Sequence, residues 1–508
     1  MKKRFRTAAA LAACILTCSF LMPAAVSADD TPAVQQYGDI NLDQQVDVSD
    51  AVLLARFCAE DATVNISQTG KALADVDADG KITQDDTVTL LQFIAKLIPS
   101  LGPAAQVETD YKTVNLMDGI KSAEIKSKPV DAAFTDSQYA LTINLLKQTA
   151  QANTKNDNLM ISPLSVSLAL SMTANGAKDQ TLTEMEKVLG GDLKIADLNA
   201  YYADYLNTLP NSENAQLHIA NSIWFKNDPL IKVPQEFLQT NADYYKADAY
   251  KAPFNEQTVK DINDWVNKNT HEMIPKLLDN IPNGNVFMYL INALAFEADW
   301  ASRYKDNEIG EGEFTPYGTD PVTVEMMHGE ERTYLEDEYA TGFMKSYKGG
   351  GYSFAAILPK ESESITVSDY IGMMTPESLQ KLLSTKQNCK VITKMPKFKF
   401  AYDTELSEAL KAAGMPTAFN EEKSDFGSLN AGPGNGYISR VLHKTFIQVD
   451  EAGTKAGAVT AVEMQIKSAI EVDKPKTVYL DRPFIFMIVD HQHNLPIFIG
   501  YVMNPLEE

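Results

Sequence analysis

Two runs of oxygen-bearing side chains stand out near the start of this 508-residue chain. Asp39, Asn41, Asp43, Gln45, Asp47 and Asp50 fall at positions 1, 3, 5, 7, 9 and 12 of a twelve-residue loop. Asp75, Asp77, Asp79, Lys81, Thr83 and Asp86 repeat that spacing 36 residues further on. Alternate loop residues can turn toward one point, and a calcium ion takes six to eight hard oxygen ligands. Positions 1, 3, 5 and 12 offer side-chain oxygens. Position 7 offers a backbone carbonyl (Gln45, Lys81), and position 9 (Asp47, Thr83) acts through water. Two Ca2+ ions are therefore expected. Duplication and ligand spacing agree, which separates these loops from Asp-rich turns that bind nothing.

The elements that must hold the loops repeat as well. Val46 aligns with Ile82, Val52 with Val88, Leu54 with Leu90 and Phe57 with Phe93. The apolar residue at position 8 can pair the two loops, and a helix after each loop turns its apolar side to its partner. Gly80 fits the tight turn of the second loop, where the first has Gln44. Position 12 is Asp, not the Glu of an EF-hand, and only the exit helix is present. On these residues, roughly 37 to 98, the segment resembles a dockerin, the module that plugs into cohesins on cellulosome scaffolds. We bound this small all-α module at 35–100. The resemblance implies that positions 10 and 11, here Val48-Ser49 and Gln84-Asp85, choose the cohesin. The two pairs differ, which weighs against a symmetric dual binding mode.

The chain is long enough for two or three domains, and at 44% hydrophobic it can bury a core. Its net charge of -23 argues against nucleic-acid binding, which needs clustered Lys and Arg. Residues 1–28 read as a secretory signal, with a basic start, an apolar run and Val26-Ser27-Ala28 before the cut, so the mature protein is expected outside the cell. Leu11-Ala12-Ala13-Cys14 is lipobox-like, but the apolar run continues well past Cys14. No later segment is apolar for long enough to span a membrane. Cys14 and Cys18 leave with the signal. Cys58 and Cys389 remain, in different modules, and do not make a disulfide framework. Residues 101–130 mix Pro, Gly and charge and read as a linker.

Residues 131–508 form the large domain. Helical periodicity dominates its start, in AFTDSQYALTINLLKQTAQ and PLSVSLALSMTANGAKDQTLTEMEKVLG. Strand-like runs dominate later, among them HIANSIWF, FMYLINALAF, VITKMPKFKFAY and RPFIFMIV. The mixture predicts an α+β domain around a large, mostly antiparallel sheet. Catalytic patterns do not assemble. Asp425-Phe426-Gly427 lacks the glycine-rich loop and catalytic loop of a kinase, and Gly432-Pro433-Gly434-Asn435-Gly436 reads as a surface turn rather than a phosphate loop. His491 and His493 sit in a hairpin turn, Glu297 and Asp299 are an ordinary acidic pair, and no Gly-x-Ser-x-Gly elbow occurs. No enzyme is predicted.

One late segment reads as both loop and strand: DEAGTKAGAVTAVEMQIKSAIEV, from Asp450 to Val472. Taken with period two, one face carries Thr454, Ala456, Ala458, Thr460, Val462, Met464 and Ile466, all uncharged. Every charge after Glu451 falls on the other face. The segment has no proline, so it could enter a sheet as a central strand, and Gly453 can hinge it. A plain edge strand has the same pattern. The segment resembles the reactive-loop hinge of an inhibitory serpin, with Glu451, Gly453, Thr454, Ala456 and Ala458 as the hinge. NLMISPLSVSLALSMTANGAKDQT, INDWVNKNTHEMIPKLL, LINALAFEADW, MPKF and RPFIFMIVDHQHNLPIFIGYVMNP follow in family order over residues 131–506. The resemblance implies a serpin fold with a mobile reactive loop. It also implies a polar cluster of Ser162, Ser165, Asn292 and His443 where the sheet opens.

The resemblance further implies a mechanism. A protease attacks the loop as a substrate, and after acylation the cleaved loop inserts into the sheet and drags the bound enzyme away before the ester is hydrolysed. An insert of about 14 residues at roughly 3.3 Å each spans about 45 Å. Family spacing puts the cleaved residue about seventeen positions after Glu451, which gives Lys467 followed by Ser468. Counting back from Arg482-Pro483-Phe484 gives a bond nearer Val472 instead. Lys467 suits a trypsin-like pocket that holds a carboxylate. The leading expectation is a secreted serine-protease inhibitor docked on a cellulosome cohesin and shielding it from proteolysis. The alternatives are a non-inhibitory serpin that binds or builds, and a dockerin-borne carbohydrate enzyme.

Overall fold

The computed structural model describes residues 36–43, 45–77, 79–98, 100–102, 112–155, 157–229, 231–281, 286–361, 364–430, 436–454 and 474–507. The expected signal segment and Ala456, Ala458, Lys467, Ser468 and Val472 lie outside these residues. The chain divides into two compact units, Met1–Asp110 and Tyr111–Glu508.

In the first unit, helices Val48–Cys58 and Gln84–Ile94 follow the two loops, with a short helix Gln68–Ala72 between them. Each long helix starts in a capping box. Asp47 or Thr83 caps the helix, and Asp50 or Asp86 at the third helical position reaches back to the cap's N–H. Thus loop positions 9 and 12 are also what starts the helix. Leu54 and Leu90, matched in the repeat, are both fully buried. They meet Ile40, Ala51, Ile66, Ala74, Val76 and Leu101, with Val46 and Ile82 packed alongside. Burying each leucine stabilises the unit by about 1.5–3 kcal/mol, and there are few of them. Leu101 and Gly102 belong to this unit, not to a linker: Leu101 packs in its core and Gly102 N–H donates to the Val76 carbonyl at 2.8 Å. A Cβ at Gly102 would lie 2.4 Å from the Tyr37 ring, so only glycine closes the chain here.

The linker expectation is also corrected at its other end. Val114 and Asn115 pair antiparallel with Lys251 and Tyr250. Ser122 Oγ donates to the Ala242 carbonyl (2.8 Å), Ala123 N to Asp243 (2.7 Å) and Val130 N to Asp204 (3.2 Å). Leu116, Met117, Ile120 and Val130 pack on the main core. Their apolar side chains are spread among polar residues without a helix or strand period, so the sequence pattern reads as linker.

The second unit holds two large sheets and the helices around them. The nine-stranded sheet runs in the order Lys476–Tyr479, Gln387–Pro396, Val322–Glu336, Ala340–Ser346, Tyr352–Pro359, Phe484–Asp490, Pro496–Val502 and Leu159–Ile161, with Ile309–Phe314 paired to Val322–Glu336. The seven-stranded sheet runs Val114–Asn115, Asp248–Ala252, Ala215–Lys226, Met288–Asp299, Gly453–Thr454, Arg440–Val449 and Phe398–Glu405. Most pairings are antiparallel, as expected, but Arg440–Val449 runs parallel to Met288–Asp299. Helix Pro163–Ala174 is buried at every residue, consistent with its apolar and small side chains on all sides.

The centre of the seven-stranded sheet has two states along its length. At one end Arg440 to Lys444 pair directly with Tyr289 to Ala293. At the other end the two strands part, and Gly453–Thr454 lies between them. Gly453 is paired with Asp299, and Thr454 with Ala298 on one side and Val449 on the other.

Candidate functional site

The four residues expected in a polar cluster meet at the closed end of that junction. Ser162 caps helix Pro163–Ala174 and its hydroxyl donates to the Ile497 carbonyl at 2.8 Å. Ser162 N–H donates to His443 Nε2 at 3.1 Å, so Nε2 is an acceptor and the proton of a neutral ring sits on Nδ1. Nδ1 lies 3.3 Å from Asn292 Oδ1, which also accepts from the Ser165 hydroxyl. Asn292 Nδ2 donates to the Ser165 carbonyl and, at 2.5 Å, to Asn221 Oδ1. Asn221 was missed in the sequence. It stands opposite Asn292 in one strand pair as His443 does in the other, and only the register reveals this. The side-chain polar atoms of Ser162, Ser165, Asn292 and His443 all have partners, which makes the set costly to break singly.

Burial pushes the His443 imidazole down to about 4, so the folded state holds it neutral. The unfolded ring titrates near 6.5. The stabilisation is therefore complete above about pH 6.5 and falls as pH drops toward 4, by about 3 kcal/mol in all. Urea midpoints are expected to decline over this window in the wild type, and His443→Gln is expected to flatten the decline. Parallel curves for the two proteins contradict this account.

At the open end, backbone and side chains fix the hinge. The Asp450 carboxylate accepts from the N–H groups of Ala452 (2.8 Å) and Gly453 (3.2 Å). Trp300 holds the Asp450 carbonyl through Nε1 (2.8 Å) and the Ala452 carbonyl through its backbone N–H (2.9 Å). Glu451 pairs with Lys397 at 2.8 Å, and that hydrogen bond holds its carboxyl below the ordinary range. A Cβ at Gly453 would fall 2.1 Å from the Ala298 carbonyl oxygen, so the residue must be glycine to enter. Thr454 is only 2% exposed, which places the first residue of the uncharged face inside the sheet. Trp300 and Lys397 had no signal in the sequence beyond their motifs.

In the calcium loops, Asp75, Asp77 and Asp86 bring ligand oxygens within 4.8 Å of one another, the one such acidic or histidine trio among the described residues. Asp75 Oδ1 is buried without a partner, while its Oδ2 accepts from Gly80 N–H at 3.0 Å. Burial, then the neighbouring Asp86, Asp79 and Asp75, push the Asp77 carboxyl up. A cation with hard oxygen preference fits this donor set. In the first loop Asp50 accepts from Ile40 and Asn41 N–H (2.8 and 3.0 Å), and Asp39 accepts from Asp43 N–H (3.0 Å). Asn41 Oδ1 accepts from the same N–H (2.8 Å), Asp43 accepts from Gln45 N–H (2.9 Å), and in the second loop Asp79 accepts from Lys81 N–H (2.7 Å). Val48, Ser49, Gln84 and Asp85 are all exposed. Val52 and Val88, one turn along each helix, are about half exposed at 51% each.

The residues set aside as catalysts are occupied otherwise. His491 sits between Ser353 Oγ (2.6 Å) and the Gly350 carbonyl (2.8 Å), and His493 pairs with buried Asp490 at 2.7 Å. Asp425 makes a local turn to Gly427 N–H (2.9 Å). Cys58 and Cys389 are free thiols.

A hinge lodged between parted strands, with a buried polar cluster at their closed end, points to one class of protein. A model of the family Serpin (serine protease inhibitor) matches residues 136–505, and a model of the Dockerin type I domain matches residues 37–95. The chain belongs to the serpin family and carries a type I dockerin domain ahead of its serpin domain. It is similar to an uncharacterized serpin-like protein of Thermococcus kodakarensis, 29% identical over 80% of this chain and 93% of the relative. Iripin-8 of Ixodes ricinus is 29% identical over 71% of this chain and 91% of its own length. Among solved structures, the thermophilic serpin tengpin in its native state superposes with a TM-score of 0.72 at 46% identity, covering 77% of this chain and all of tengpin. Its latent state gives 0.65. Serpins are generally protease inhibitors rather than enzymes, and type I dockerins generally bind calcium and cohesins in extracellular cellulosomes. No helix among the described residues is long and apolar enough to cross a membrane.

Proposed function

We propose that this chain is a secreted inhibitor of trypsin-like serine proteases that traps its target by inserting its cleaved loop. Its dockerin, loaded with two Ca2+ ions, attaches it to a cohesin of a cellulosome scaffold, which it protects from proteolysis. The observation that carries the reading is the Gly453–Thr454 strand already seated between Met288–Asp299 and Arg440–Val449. Each further residue inserted there gains ladder hydrogen bonds, and every second one buries an uncharged side chain. The segment that follows is proline-free and keeps its charges on one face, so nothing in its composition stops the insertion. The residues of the scissile bond, Lys467 and Ser468, and the inserting Ala456 and Ala458 are assigned on family spacing.

Incubation with trypsin is the direct test. An SDS-stable complex is expected, and the released C-terminal peptide should begin at Ser468 by mass spectrometry. Lys467→Ala is expected to cost most of the inhibition, because the pocket carboxylate loses its cationic partner. Clean cleavage without a complex would leave a substrate or a binding protein. A peptide that begins near Val472 moves the scissile bond.

A further inference from the structure

We propose that Tyr347 is the positioning residue for the first step of loop insertion, its buried hydroxyl acting as the receptor for the hydroxyl of Thr454. The inference rests on the insertion reading given above and names the group that admits the hinge.

Thr454 cannot enter the sheet without taking its hydroxyl out of water. The oxygen lies 2.5 Å from the Tyr347 hydroxyl, and both side chains are buried. Among the described residues, each hydroxyl is the other's one hydrogen-bond partner. Tyr347 is not free to follow the hinge in and out. Its ring is stacked on Trp300 (4.5 Å between centroids, 10° between planes) and set edge-on to Phe296 (5.0 Å). Its N–H donates to the Tyr352 carbonyl at 3.0 Å. Trp300 in turn grips the Asp450 and Ala452 carbonyls, so the aromatic pair touches the hinge on both its backbone and its first side chain. Burial holds the Tyr347 phenol far above its ordinary pKa, so it stays protonated, able to donate or accept. A fixed hydroxyl behind a fixed indole therefore selects a short hydroxylated residue at position 454. With the hinge withdrawn, the phenol loses this partner.

The chemistry gives a test that a merely structural tyrosine would fail. Removing one hydroxyl of a buried pair strands the other, whereas replacing both with apolar groups of like shape is close to neutral. Tyr347→Phe and Thr454→Val should each raise the number of inhibitor molecules consumed per trypsin trapped, by roughly tenfold at most, and the double variant should return most of the way to wild type. Amide exchange of the peptide containing Gly453 and Thr454 should quicken in each single variant and recover in the double. Additive losses, or single variants that match the wild type in both measurements, would overturn the proposal. If the wild type forms no SDS-stable complex, the inhibitory reading fails, yet the exchange cycle still decides whether Tyr347 holds the hinge.

Discussion

Thr454→Arg is expected to convert the protein from an inhibitor of trypsin into its substrate. The side chain at this position is buried against Tyr347 and lies between Met288–Asp299 and Arg440–Val449. A guanidinium there leaves water without a carboxylate to meet it, which costs several kcal/mol. The hinge would be forced out, and every later rung of insertion would have to wait for it. The substitution leaves the proposed cleavage residue Lys467 unchanged, so on the proposed mechanism acylation is expected to proceed while deacylation outruns insertion. The ratio of cleaved inhibitor to SDS-stable complex is expected to rise more than roughly tenfold, since about 1.4 kcal/mol already makes a factor of ten between competing steps. Lys455→Glu, on the opposite face, is the control and should change little. Trapping by Thr454→Arg at wild-type efficiency would show that insertion does not pass through this segment.

Chelation of calcium is expected to abolish cohesin binding while leaving protease trapping intact. The first unit has a thin core, and its second loop brings oxygens of Asp75, Asp77 and Asp86 within 4.8 Å of one another. Asp75 keeps one oxygen buried without a partner, a cost that an ion would remove. Asp50 and Asp86 also close the capping boxes, so the residues expected to hold the ion are the ones that order both helix starts. The full chain in excess chelator should lose one thermal transition and retain the other. Asp86→Ala, which removes a ligand and a cap together, should weaken cohesin binding by roughly a hundredfold even with calcium present. Unchanged cohesin binding in excess chelator contradicts the calcium reading.

What was legible in the sequence divides along the range of the interaction. The calcium loops could be read because ligand spacing and the apolar repeat lie within twelve and 36 residues of one another, and local geometry fixes both. The inward face of the hinge could be read because strand period is local too, as Thr454 shows. The seating of Gly453–Thr454 could not, because it depends on how far two strands from distant parts of the chain have parted. Asn221 and Tyr347 escaped for the same reason: their partners are set by register and stacking across the sheets. Residues 113–130 were misread because a segment that adds itself to a finished surface needs no period of its own.

That segment has a mechanical consequence. The chain enters the second unit along the outer edge of the seven-stranded sheet, where Thr113 bonds Asp261 and two terminal rungs follow at Val114 and Asn115. Tension applied to the chain ahead of Thr113 loads these bonds first, one after another. The anchors at Ser122, Ala123, Lys128 and Val130, on helices Ile195–Thr208 and Gln235–Tyr245, come next in series. Drag on a tethered molecule thus spends itself in peeling an outer strap before it can shear Ala215–Lys226 from Met288–Asp299. The strap is a fuse placed ahead of the sheet whose parted strands seat Gly453–Thr454.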